Sequence, residues 1–172
     1  MRRLGRITGP VLALAAVMLA TASAAPDSAQ ACAKANTPAK RLSKVEVRQA
    51  IRCVINHARG PNLKPDRSLK RAAQRHSRRM RSTNCVSHQC PGEPDLTNRV
   101  RRAGYLNGAS AYRLGEVIAG LPVRRSPRDV VRAWMASSSH RATILGSFKH
   151  FNVGMTRKRR LGYYTVVFGW RS

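Results

Sequence analysis

Negative charge is what this chain has least of. Its 172 residues include 33 Lys and Arg but only seven Asp and Glu, for a formal net charge of +26. That balance points to anionic partners such as wall polymers, anionic lipid or nucleic acid, and charge alone does not choose among them. Long apolar runs are scarce too. Only Val11–Ala20 approaches spanning length, at the N-terminus, which argues against a membrane channel. No G-x-S-x-G elbow, H-E-x-x-H pair, P-loop or internal repeat occurs, so no strong motif of a known hydrolase is present. A hydrophobic content of 42% argues against a wholly disordered chain, and the length suits one domain.

The N-terminus reads as an export signal. Arg2, Arg3 and Arg6 precede the apolar run, and Ala22-Ser23-Ala24 offers a small-residue cleavage site. The expected organisation is a signal peptide over 1–24, an arm over 25–43 and a domain over 44–172. Ala29-Gln30-Ala31 would allow cleavage as late as 31 and leave Cys32 first. Ala29 does not match the large apolar residue that lipoprotein processing wants there, so no lipid anchor is expected. Losing residues 1–24 removes three Arg and no acid, leaving thirty basic and seven acidic residues, or +23. The basicity therefore belongs to the secreted part.

Four cysteines in an exported chain read as two disulfides, for which three pairings exist. Cys85–Cys90 would staple a short loop around His88, and Cys32–Cys53 would tie the arm to the first helix. The rival reading makes Cys85, His88 and Cys90 metal ligands, although zinc sites more often use C-x2-C spacing.

Helical spacing of Val47, Ile51, Val54, Ile55 and Ala58 predicts a helix from about Lys44 to Arg59, stopped by Gly60-Pro61. Asp66 can cap a second helix with Leu69, Ala72, Ala73, His76 and Met80 on one stripe. Its other face carries Arg67, Lys70, Arg71, Arg75, Arg78, Arg79 and Arg81, either a solvated face or a polyanion site. A short helix can follow Asp95, and Ser126-Pro127-Arg128-Asp129 is a helix start. Two strands are expected, Phe148–Thr156 and Leu161–Trp170, around a basic turn. Helices first and paired strands last make the class α+β.

His88, Glu116 and His140 are the candidate chemical constellation. Glu116 stands out because acids are so few; the alternative is a partly buried carboxylate paired with an Arg such as Arg141. Two imidazoles and a carboxylate can hold a divalent metal such as zinc, or exchange a proton near neutral pH. His76 is expected in the core, His57 near a helix end, His150 on the surface, and Trp134 and Trp170 in the core.

The order of segments resembles a CAP domain, the SCP-type or cysteine-rich secretory protein superfamily, in its short bacterial form, over residues from about 47 to 170. Cys53–Arg59 is similar to the opening "LIN-x-x-R" helix, Leu69–Met80 to the next helix and Ser87-His88 to its "SH" end. Arg99–Tyr105 matches "R-x-x-x-A-G-Y", and Gly115–Ala119 resembles "GENIA". Val131–Leu145 resembles "V-x-x-W-M-x-S-x-x-H-R-x-x-I-L", and Tyr163–Gly169 the closing strand. The resemblance implies an α-β-α sandwich with a central antiparallel sheet and a cleft where His88, Glu116 and His140 converge. Tyr163 stands where larger members place a strand His, and no second Glu follows Asp129. Val117 and Thr143 replace motif Asn residues.

The expected function is therefore a secreted, non-enzymatic, monomeric binding module. Its cleft would take a small, lipid-like ligand or a divalent metal, and its basic surface would meet an anionic envelope or host surface rather than nucleic acid. The alternatives are a metal-assisted hydrolase using His88, Glu116 and His140, and polyanion binding by the Arg-rich helix over 66–81.

Overall fold

A computed structural model describes residues 32–172; the signal and cleavage readings lie on residues 1–31, outside the described residues. Five helices and four strands follow in the order α1 (Lys44–Ala58), β1 (Lys64–Pro65), α2 (Arg67–Thr83), α3 (Leu96–Arg102), β2 (Tyr112–Pro122), α4 (Pro127–Ala136), α5 (Ser138–Leu145), β3 (His150–Lys158) and β4 (Leu161–Arg171). Local chemistry sets the helix starts. Ser43 with Glu46 and Ser126 with Asp129 form reciprocal capping boxes, and Asp66 and Asp95 cap α2 and α3.

The strand order is β1-β3-β4-β2. The three long strands are antiparallel, and two-residue β1 adds a parallel pairing to β3, so the sheet is mixed rather than purely antiparallel. Alternation sorts the faces. Val117, Val153, Met155, Tyr164, Val166 and Phe168 join Val47, Ile51, Ile55, Val130 and Trp134 from α1 and α4 in the main core. Val167 meets Leu69, Ala72 and Ala73 of α2 and Val100 of α3 on the other face, while Ile118 and Tyr163 pack with Met80. Helices on both faces make an α-β-α sandwich. Glu116 lies on the α2 side.

The described part of the arm is integral to the domain. Ala35, Ala39 and Leu42 are buried in the main core, and a disulfide joins Cys32 to Cys53. Side chains close backbone groups on both flanking strands. Gln74 of α2 accepts from Met155 N–H and donates to Met155 C=O on β3, while the Trp134 indole N–H donates to Ile118 C=O on β2 at 2.8 Å.

Candidate functional site

The site is assembled on β2. Its register with β4 pairs Glu116 with Val167, so the Glu116 side chain rises between the flanking Leu114 and Ile118 toward α2. α3 brings Arg99, α2 brings His76, and the loop after α2 brings His88 and Glu93. A Cys85–Cys90 disulfide closes that loop around His88.

Glu116 is the hub. Arg99 Nη1 donates to its Oε2 at 2.8 Å and Nη2 to its Oε1 at 3.1 Å, a two-point guanidinium–carboxylate pair. His88 Nδ1–H donates to Oε1 at 2.9 Å, and Arg99 Nη2 also donates to the His88 carbonyl at 2.8 Å. Behind them, His76 Nδ1–H donates to Glu93 Oε2 at 2.8 Å, while its Nε2 stands 3.9 Å from Glu116 Oε1. The cluster is sealed except at one side chain. Those of His76, Glu116 and Arg99 are 0%, 2% and 5% exposed, and that of His88 is 56% exposed.

Burial pushes the Glu116 carboxyl up, but bonds from His88 and Arg99 and the charges of Arg99 and His76 outweigh it, so its pKa lies below the usual carboxylate value. The His88 and His140 rings lie with centroids 6.4 Å apart at 45°. Desolvation and then the charge of His88 hold the His140 pKa below its ordinary value. The structure thus brings His88 against Glu116 and sets His140 beside His88.

A divalent cation does not suit this donor set. Both Glu116 oxygens face the Arg99 guanidinium, and a cation there would have to displace that buried positive charge. Among the described residues, no three His, Cys, Asp or Glu side chains are placed to hold a metal. Cys85 and Cys90 are bonded to each other, so neither offers a thiolate to a metal beside His88. What the arrangement does supply is an exposed imidazole held in one orientation. With Nδ1–H committed to Glu116, neutral His88 offers Nε2 as an acceptor beside His140.

The cysteine-rich secretory protein family model matches residues 45–169. The chain belongs to the CAP family. It is 33% identical over 143 residues to the Bacillus subtilis (strain 168) protein named "Uncharacterized protein YkwD", covering 78% of this chain but only 51% of that one; the chain thus spans about half the length of this relative. It also resembles an extracellular protein containing an SCP domain from Bacillus anthracis str. Ames, with a TM-score of 0.60 and 25% identity over 73% of this chain and 40% of that one. An outer surface protein of Borrelia burgdorferi shares the fold, with a TM-score of 0.65 and 18% identity over 76% of this chain and 97% of the other.

Within this CAP domain, Glu116 is the buried, Arg-paired carboxylate that its segment allowed, but some partners and placements differ from expectation. The partner of Glu116 is Arg99 of the "R-x-x-x-A-G-Y" segment, not Arg141, because α3 and β2 share the α2 side of the sheet. His150 is half-buried against the Tyr105 hydroxyl at 2.9 Å rather than a free surface group. Trp134 is buried, Trp170 half-buried and His57 exposed. His76 is a core residue as expected, yet it also belongs to the carboxylate network.

Sequence reading missed Glu93 and Arg99. A signal for Glu93 existed in the acid inventory. Of the six described acids, Glu46, Asp66, Asp95 and Asp129 serve helix caps. The two left over, Glu93 and Glu116, are both in this cluster.

Proposed function

We propose that this CAP domain is an exported, non-enzymatic binding module whose contact point is the His88–His140 pair. The observation that carries it is the commitment of Glu116: its oxygens are occupied by Arg99 and His88, so it positions an imidazole rather than meeting a ligand itself. An exposed acceptor beside a second imidazole suits a small ligand with a hydroxyl or other donor group, such as the polar end of a lipid-like molecule. The two disulfides and the extracellular and outer-surface neighbours support a place outside the cytoplasm. Metal-assisted hydrolysis is less well supported, because the carboxylate it would need is already engaged.

Native mass spectrometry of the exported protein, purified without chelator, tests this reading. The expected result is a retained organic mass that is lost in His88→Ala/His140→Ala while folding persists. Glu116→Ala is a poor probe, since it strands a buried guanidinium. Unchanged retention in the double variant, or a stoichiometric metal in place of an organic mass, would overturn the reading.

A further inference from the structure

We propose that α2 and the β3–β4 turn together form one track for a linear, base-free phosphodiester polymer, separate from the His88 site. Three observations converge on it. First, a cavity of about 500 Å³ at the turn is lined by Arg124, Lys158, Arg159 and Arg160, with Asn84 and a floor that includes Tyr163. No described carboxylate lies within ion-pairing distance of these four cations. Second, Arg159 sits at φ 53° in the two-residue turn, and Asn84, at φ 51°, is the left-handed C-cap that ends α2 beside it. The tight hairpin turn thus holds the Arg159 side chain, with its exposed charge, at the rim of this cavity. Lys158 Nζ reaches Asn84 Oδ1 at 3.1 Å, so the cavity opens where α2 ends.

Third, α2 continues the charge. Arg67, Lys70, Arg71, Arg75, Arg78 and Arg81 are exposed along its 17 residues, about 25 Å. Five of them line a second cavity of about 380 Å³ with Gln74. The set is mostly Arg, whose fork matches phosphate oxygens. No Phe, Tyr or Trp lies on α2 and Tyr163 is buried, so the track offers charge without a platform on which bases could stack. It would therefore read a charged backbone, not bases. The choice of an envelope-type polymer rests on the exported reading above, whereas the test does not depend on the His88 site.

The probes are poly(glycerol phosphate) oligomers of increasing length, titrated at several salt concentrations against three proteins. These are the unaltered chain, a turn variant (Arg124→Ala, Arg159→Gly, Arg160→Ala) and a helix variant (Lys70→Ala, Arg75→Ala, Arg78→Ala). All six changes are at exposed positions, and unfolding curves check that each protein is folded. If the track exists, affinity rises with length, and each variant flattens the log K against log [salt] slope by about 2, near 0.7 per cation removed. A turn variant that binds long oligomers as the unaltered chain does would overturn the proposal. So would tighter binding of single-stranded DNA of equal charge, which would mean base recognition, or equal binding of polygalacturonate, which would mean no preference for phosphate.

Discussion

Arg99→Ala isolates the energetic centre of the site. Arg99 is buried and donates three hydrogen bonds, two to Glu116 and one to the His88 carbonyl. Its removal leaves the Glu116 carboxylate, 2% exposed, with His88 as its remaining close donor. Breaking one side of a buried pair costs about 3–5 kcal/mol. For a domain near 140 residues, each kcal/mol moves Tm by roughly 3–4 °C, so a fall of about 10–20 °C is expected. Urea and thermal unfolding at pH 7 measure it. The sign of the pH dependence is fixed by Glu116, whose folded pKa lies below its unfolded value. In the unaltered chain this contribution is present above the unfolded pKa and is lost as pH falls through the folded one. The variant lacks the charge that lowers the pKa, so its deficit should shrink as pH falls below about 4.3, where an unfolded Glu takes up its proton. Arg99→Met/Glu116→Leu should recover most of the loss, since it removes both charges. A deficit under about 1 kcal/mol at pH 7, the size of an exposed ion pair, would refute the reading of Arg99 and Glu116 as a buried pair.

Three further outcomes are expected. Replacing Cys32 and Cys53 by Ser should cost about 3 kcal/mol, and replacing Cys85 and Cys90 about 2 kcal/mol, from their loop lengths; denaturation of each variant checks both, and the second should also broaden the His88 NMR resonances. In an NMR titration, His140 should titrate below its ordinary value and move up in His88→Ala, because desolvation remains but the neighbouring charge is gone. Gly154→Ala should destabilise by about 3 kcal/mol or more in urea, because its Cβ would meet the Ala73 backbone of α2.

Helix starts were legible because caps and stripes are local signals: Asp66 and Ser126 begin α2 and α4 as read. The two C-terminal strands were legible for the same reason, since each is an apolar run bounded by the basic turn. β2 was not recognised as a strand from its residues. Gly115 and Gly120 interrupt it, and its inward-facing Glu116 breaks the usual apolar alternation. Gly115 itself answers to a close approach, since a Cβ there would meet Phe148 at 2.7 Å. β1 is two residues long and exists only through its pairing with β3, which sequence does not show. His88 and Glu116 stood out by their segments, whereas Arg99 was hidden among thirty-three basic residues. A buried arginine is legible only through its partner, and that partner lies 17 positions away.

The Gln74 clasp on Met155 bears on how the protein survives being made. A β-strand with free N–H and C=O groups is a template for another chain. A carboxamide can satisfy one of each at once, as a neighbouring strand would, and Gln74 does so without leaving its helix. A carboxylate of the same length could accept the N–H but would confront the carbonyl with a second acceptor. A single deamidation at Gln74 would therefore keep the Met155 N–H bonded while its carbonyl loses a donor and gains a repulsive neighbour. In a chain folding among many copies of itself, Gln74 thus occupies backbone groups that a strand of another copy could otherwise pair with.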